Sequence, residues 1–215
     1  MCFRDSGLKQ VYMKRFLDIV LSALGLLILL PFLPFVAMLI KLDDRGAVFF
    51  RQERIGKDFR RFMIYKFRTM MEHPEKKGRL ITAGGDKRIT KVGGFLRKYK
   101  IDELPQLFNI LKGDMSFVGP RPEVSEYVQL FETDYRKLLT VRPGITDPAS
   151  LKYSNEETIL GMSEASEDVY INKILPEKIK LSSHYVDTRN LMTDLKLIIM
   201  TLLKTSQIKR DKATQ

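Results

Sequence analysis

Residues 19 to 40, IVLSALGLLILLPFLPFVAMLI, run for 22 positions without a charge. A straight helix of that length reaches roughly 33 Å at about 1.5 Å per residue, against a bilayer core of about 30 Å. Apolarity on every side suits lipid better than the interior of so small a domain. The run is also too long for a cleaved signal peptide and no small-residue cleavage site follows it. Pro31 and Pro34 interrupt it, and each removes an amide donor. Lys14 and Arg15 flank one end, Lys41 and Arg45 the other, so a simple crossing would leave one basic pair on the far face. The pattern predicts a broken helix that enters a membrane and returns to the same, cytoplasmic, face.

After Asp44 the periodicity changes. Val48, Phe49 and Phe50 predict a short strand, RIGKD a turn and FRRFMIYKF a second strand, which together make a hairpin. EHPEKKGRLITAGGDKRITKVGG predicts a loop, with Gly84-Gly85 and Gly93-Gly94 as turns that fit neither a P-loop nor a dinucleotide-binding signature. A helical pattern resumes at Phe95, breaks near Lys100 and restarts around Asp102, with Leu104, Leu107, Phe108 and Leu111 on one face. Residues 124–139 predict an amphipathic helix, TVRPGITDPAS a structured turn, and PEKIKLSSHYVDTRN and LMTDLKLIIMTLLKTSQIK two more helices. The last carries Leu195, Ile198, Ile199 and Leu202 on one side, which suits the domain surface and the membrane interface equally. No repeat is present, and the fold class expected is α+β: a membrane helix-break-helix, then a small domain of helices with a short β-hairpin.

Composition narrows the chemistry. The 215 residues carry a net charge of +11, and residues 51–100 alone hold sixteen Lys or Arg against five Asp or Glu. Nucleic acid, an anionic membrane and phosphorylated substrates are the partners such a block attracts. Cys2 is the only cysteine and His73 and His184 the only histidines. An internal disulfide, a cysteine zinc site and a multi-histidine metal centre are therefore excluded, and any metal takes oxygen ligands, which favours magnesium or manganese.

Candidate chemistry concentrates in RKYKIDELPQLFNILKGDMSFVGPRP, residues 97–122. Asp102 reads as a helix N-cap, Glu103 suits the positive end of the helix dipole, and Pro105 is tolerated in a first turn. The same placement would orient the Asp102 carboxylate and keep it ionised, as nucleophilic attack on phosphorus requires. Glu103, about 100° around a helix, could hold a divalent cation that bridges substrate phosphates. Phosphoryl chemistry also needs cations around the transferred oxygens, and Lys66, Arg68, Arg97, Arg121 and Arg142 are the candidates. Arg121 stands between two prolines, on a backbone stiff enough to aim its fork at little entropic cost. Taken singly, each of these five reads as a surface charge.

KRFLDIVLSALGLLILLPFL, FFRQERIGKDFRRFMIYKFRTM, ITKVGGFLRKYKIDELPQLFNILKGDMSFVGPRP, VRPGIT and LPEKIKL together resemble the bacterial sugar transferase family, the monotopic polyprenyl-phosphate phosphoglycosyl transferases. The resemblance runs from about Lys14 to Leu203. It implies a lead-in at 1–13, a re-entrant inner-membrane hairpin at 14–43 that turns back at Pro31, a cytoplasmic catalytic domain with interfacial helices at 44–208 and a polar tail at 209–215. It implies that Asp102 attacks the β-phosphate of a UDP-sugar, expels UMP and carries a covalent sugar-phosphate, which undecaprenyl phosphate then accepts. Glu103 would be the partner carboxylate and metal ligand, with Mg²⁺ as cofactor; Arg121 would lie near the phosphates, with Lys66 and Arg68 in the matching KFRTM element. Implied partners are the UDP-sugar, undecaprenyl phosphate and inner-membrane lipid, with a second copy of the chain and downstream glycosyltransferases as further candidates, and no nucleic acid. The chain departs from many relatives at Asp147-Pro148, and without their extra N-terminal spans it reads as the minimal catalytic form.

Three rival readings stand beside this one. A membrane scaffold would use the carboxylates only as caps. A tethered nucleic-acid binder lacks a helix-turn-helix, zinc or stacking signature. An enzyme passing phospho-sugar directly to the acceptor would show ternary-complex kinetics.

Overall fold

A computed structural model describes residues 2–71, 86–162 and 166–211, with side chains between residues 9 and 204 of those ranges. Helix α1 (Cys2–Leu29), a 3-10 turn (Leu30–Phe32) and helix α2 (Leu33–Asp43) follow without a gap. The break falls at Pro31, and Pro34 sits in the first turn of α2, where a missing amide costs nothing. No interruption separates residues 1–13 from 14–43 within the described part of α1.

This element is amphipathic in reverse. Its domain-facing stripe contains Asp18, Ser22, Leu29, Val36 and Ile40. The Asp18 carboxylate accepts from Ser116 Oγ and the Phe117 amide, both at 3.1 Å. Arg15 donates to the carbonyls of Ile110 and Leu111, and Lys14 pairs with Asp194 at 2.5 Å. Past the break, Asp43 Oδ2 accepts from the Val92 amide at 2.8 Å. Both arms are thus fastened to one domain, as a re-entrant segment requires and a crossing helix does not.

Thirteen large apolar side chains between Phe16 and Leu42 point outward instead. Each is worth ~1.5–3 kcal/mol when removed from water, so lipid contact stabilises this face by an amount on the order of tens of kcal/mol. The Lys9–Asp43 stretch is long and apolar enough to cross a membrane; its attachments make it monotopic.

Strands β1 (Phe49–Ile55) and β2 (Arg61–Phe67) pair antiparallel from Phe49↔Phe67 to Ile55↔Arg61. The hairpin is longer than its apolar triplet suggested, because residues 51–55 also join the ladder and the turn moves from 54–58 to residues 56–60. The expected loop lies mostly outside the described residues, Gly84-Gly85 included. Its end is helical: Thr90 caps α3 (Lys91–Lys98) by accepting from the Gly93 amide, so this helix starts four residues before Phe95. Gly93 is no turn residue. A Cβ there would lie 2.1 Å from the Thr69 carbonyl oxygen, so glycine is needed for α3 to meet the end of β2.

A 3-10 turn (Ile101–Glu103) leads into α4 (Gln106–Lys112) and strand β3 (Ser116–Val118). On α4 the buried face is Gln106, Leu107, Asn109 and Ile110. Of the four apolar positions expected to share a face, Leu107 is buried while Leu104 and Phe108 are exposed. The expected 124–139 helix is two, α5 (Ser125–Leu130) and α6 (Glu132–Leu138), divided at Phe131, whose ψ of 36° leaves the helical range. The expected turn at VRPGIT contains β4 (Gly144–Thr146), parallel to β3. Asp147, fully buried, caps α7 (Pro148–Lys152) through the Ser150 amide and also accepts from Ser182 Oγ.

Helices α8 (Glu156–Gly161) and α9 (Ser166–Val169) were not foreseen; α10 (Leu175–Thr188) and α11 (Leu191–Asp211) were. The main core joins Ile55, Val124, Val128, Leu138, Leu160 and Ile174. The last helix packs one side on the domain. Asp194, Leu197 and Ile198 face the domain, whereas Leu195, Ile199, Leu202 and Leu203 are exposed on the other side.

Candidate active site

The chain reaches the two carboxylates through Lys100, whose φ of +56° ends α3 and turns the backbone into the 3-10 turn. Asp102 therefore lies inside that turn, not at a helix start, and its side chain caps nothing; the residue preceding α4 is Pro105. The N-cap reading of Asp102 is overturned. Both carboxylates are buried, Asp102 at 7% and Glu103 at 8% exposure.

Two distant segments deliver cations to Glu103. Lys66 comes from β2 and donates to Glu103 Oε1 at 2.9 Å, and Arg121 donates to the same oxygen at 2.6 Å. Asn109 holds β2 to α4: its side-chain oxygen accepts from the Tyr65 amide at 3.1 Å and its amide donates to the Met63 carbonyl at 2.8 Å. Lys66 is thereby placed over the turn. Arg121 is placed by the GPRP turn after β3. A Cβ at Gly119 would meet the Arg142 carbonyl at 2.3 Å, so only glycine lets the two backbones approach and form the Gly119–Thr146 and Gly144–Pro120 bonds, both 3.0 Å.

The environments drive the carboxylates apart. Burial raises the Asp102 carboxyl above its ordinary value and the neighbouring Glu103 charge raises it further, against the pull of Lys66, Lys100 and Arg97. Burial opposes the Glu103 charge as well, but Arg121, Lys66 and Lys100 together hold that carboxyl well below the ordinary range. Lys66 is pushed down by burial and Arg121 up by Glu103. The cations Lys66, Lys100 and Arg97, rather than a backbone hydrogen bond, favour the charged form of Asp102 against the cost of burial. Its Oδ1 is buried with no hydrogen-bond partner among the described residues. A desolvated carboxylate oxygen with nothing bonded to it is chemically primed to attack an electrophile.

The other cations are scattered. Arg97 stands close enough to act on Asp102 and donates to Thr69 Oγ1 at 3.0 Å and Glu157 at 3.1 Å. Arg68 lies under the end of α2, donating to the Asp44 carbonyl at 2.8 Å and pairing with its carboxylate at 3.0 Å. Arg142 is at the far end of α4, bonded to the Gly113 carbonyl at 2.8 Å. The structure thus gathers Lys66, Arg97 and Arg121 around the dyad and leaves Arg68 and Arg142 outside its contacts. For a metal, the donors on offer are two adjacent carboxylates. Mg²⁺ takes one or two carboxylates plus substrate phosphates, so this oxygen set fits it, and among the described residues no cluster of three His, Cys, Asp or Glu forms a protein-only cage.

Over residues 9–207 the sequence matches the family described as bacterial sugar transferase. The chain belongs to that family. It is 37% identical over 196 residues to a UDP-N-acetylgalactosamine-undecaprenyl-phosphate N-acetylgalactosaminephosphotransferase of Aeromonas hydrophila, covering 89% of this chain and 43% of that protein. It is 36% identical over 194 residues to a UDP-glucose:undecaprenyl-phosphate glucose-1-phosphate transferase of Caulobacter vibrioides, covering 88% of this chain and 68% of that protein. A putative undecaprenyl-phosphate N-acetylgalactosaminyl 1-phosphate transferase of Bacillus subtilis is 43% identical over 126 residues, 59% of this chain and 70% of its own length. The chain thus spans less than half the length of the Aeromonas relative.

In this bacterial sugar transferase, sequence reasoning passed over Gln106 and Asn109. Both are amides in the apolar stretch LPQLFNIL, and both are almost wholly buried. An amide inside a run of core-type positions is a signal in itself, because burying it requires a partner.

Proposed function

We propose that the protein transfers a sugar-1-phosphate from a UDP-sugar to undecaprenyl phosphate, giving UMP and undecaprenyl-diphospho-sugar through a covalent phospho-sugar on Asp102. The observation that carries this reading is the buried Asp102 Oδ1 without a partner, beside a Glu103 already neutralised by Lys66 and Arg121. The reversed amphipathicity of α1 and α2 supports a lipid-phosphate acceptor, and the names of the relatives agree with it. The domain lies at the cytoplasmic face of the inner membrane in this reading, where nucleotide sugars and lipid phosphate meet.

The Asp102 carboxylate attacks the β-phosphorus. An Asp102 O–P bond forms, the bridging P–O bond breaks, and its electron pair leaves on UMP, so no proton moves. The lipid phosphate oxygen then attacks the same phosphorus and the carboxylate departs unchanged. Lys66 and Arg121 hold Glu103 in place and put positive charge beside the transferred oxygens. Glu103 would hold Mg²⁺, which when bound neutralises the charge of the diphosphate.

Purified protein in detergent, incubated with magnesium and a panel of UDP-sugars without acceptor, tests the reading. About one equivalent of UMP and a phospho-sugar mass on the wild type, absent from Asp102→Asn, is the expected result. Turnover only when undecaprenyl phosphate is present would overturn the covalent step. Silence under both conditions would return the scaffold.

A further inference from the structure

Gln106 is 1% exposed, and among the described residues its side-chain Nε2 has no hydrogen-bond partner. A buried amide left without a partner carries its full desolvation penalty, so such an atom in a folded core points to a group that arrives later. One helical turn earlier stands the second orphan, Asp102 Oδ1. Glu103, Leu104 and Pro105 between them continue a tight turn whose amides bond three residues back, so Asp102 and Gln106 stand little more than one turn apart in one short segment. A donor and an acceptor are thus both left open within that segment, and they do not satisfy each other.

Resting on the phosphoryl-transfer reading above, we propose that Gln106 is a further catalytic residue, whose amide N–H donates to a non-bridging oxygen of the phosphorus that Asp102 attacks. A phosphoryl group is the chemical complement of this pair, electrophilic at its centre and rich in acceptors at its rim. Phosphorus takes the open carboxylate oxygen while an equatorial oxygen takes the open N–H. The donor's neutrality matters. A lysine or arginine at this position would form an ion pair with Asp102 and quench the nucleophile, as Lys66 and Arg121 do for Glu103. An amide stabilises charge growing on the phosphoryl oxygens without neutralising the attacking carboxylate. Gln106 keeps its hydrogens throughout, and the bonds made and broken are those already given for Asp102.

The test compares wild type, Gln106→Leu and Gln106→Glu with a UDP-sugar that the wild type accepts, recording kcat and KM for UMP release together with the melting temperature. Loss of one preorganised donor lowers kcat ~10²–10³-fold, and a donor used only in the transition state leaves KM within about threefold. The melting temperature of Gln106→Leu stays level or rises, because an unsatisfied buried group has been removed; a residue that merely braced the fold would lower it. Wild-type kcat in either variant overturns the assignment, as does a rise in KM alone. Gln106→Glu covers intolerance of leucine, since it keeps the shape and removes the donor: lost kcat at retained KM supports the role, unchanged kcat sinks it. If the wild type releases no UMP from any UDP-sugar, the phosphoryl-transfer reading itself fails, and Gln106 falls with it.

Discussion

Glu103 and Glu123 are two versions of one arrangement, twenty residues apart in the chain. Each is a buried glutamate, at 8% and 7% exposure, and each is held by one arginine and one lysine: Arg121 and Lys66 for Glu103, Arg54 and Lys178 for Glu123. Glu123 is closed. Its Oε1 accepts from the Tyr170 hydroxyl at 2.7 Å, its Oε2 from Arg54 at 3.3 Å, and Lys178 is shared with Glu156 at 2.9 Å. Glu103 has the same kind of neutralisation but stands next to Asp102, whose Oδ1 is open, and one turn from Gln106, whose Nε2 is open. Burial and pairing of charge are common to both and so mark neither as a site. The difference is what stays open among the described residues: at Glu123 both carboxylate oxygens are bonded and the one open atom is the Arg54 Nε donor, whereas the Glu103 neighbourhood leaves open a carboxylate acceptor and an amide donor.

That contrast can be broken most severely at Asp102. Asp102→Asn should lower UMP release by ~10⁴-fold or more, as loss of a nucleophile does, and leave the protein at least as stable as wild type at neutral pH. Stability near pH 7 is read by thermal melting; a fold that collapses would make Asp102 a structural carboxylate like Glu123. The opposite outcome is expected for Lys178→Met, which strands Glu123 without its lysine in the core. Breaking a buried pair from one side costs ~3–5 kcal/mol, so denaturant unfolding should show the loss whether or not activity is followed.

Lys66→Met should do less to stability than Lys178→Met and more to chemistry, a drop of ~10²-fold in kcat. Lys66 pulls the Asp102 carboxyl down, so its removal should also move the acid limb of the pH–rate profile to higher pH. The smallest effects are in pH dependence. The Asp102 carboxyl is raised above 3.8 in the folded state, so its charge costs stability as the pH rises through the folded value. Glu103 is depressed below 4.5, so its contribution is present above that pH and is lost as the pH falls through the folded value. Asp102→Asn should therefore gain stability relative to wild type on going from acid to neutral pH, as melting temperatures across that range would show.

Much of the fold was legible because it follows from local periodicity. The uncharged run with its prolines, the hairpin and the two last helices all carry their pattern within a short stretch of neighbouring positions. The elements missed, α8, α9 and the β3–β4 pair, are short and held by contacts made elsewhere. For the site, the sequence marked Asp102, Glu103 and a set of five cations. Beyond the stiff setting of Arg121 it did not separate the cations: Lys66 and Arg68 both carry positive charge and are two residues apart, yet one reaches Glu103 and the other Asp44.

The sequence by itself determined that the chain carries a lipid-facing segment, a basic block and an acidic pair next to a stiff arginine turn, because hydropathy, charge and proline stiffness are properties of adjacent residues. Only the tertiary structure decided which face of α1 meets the domain, which cations neutralise Glu103 and which polar atoms are left open at Asp102 and Gln106. Those depend on desolvation and hydrogen-bond completion among segments 37 and 18 residues apart, from Lys66 and Arg121 to Glu103, and no local pattern records whether a buried atom has found its partner.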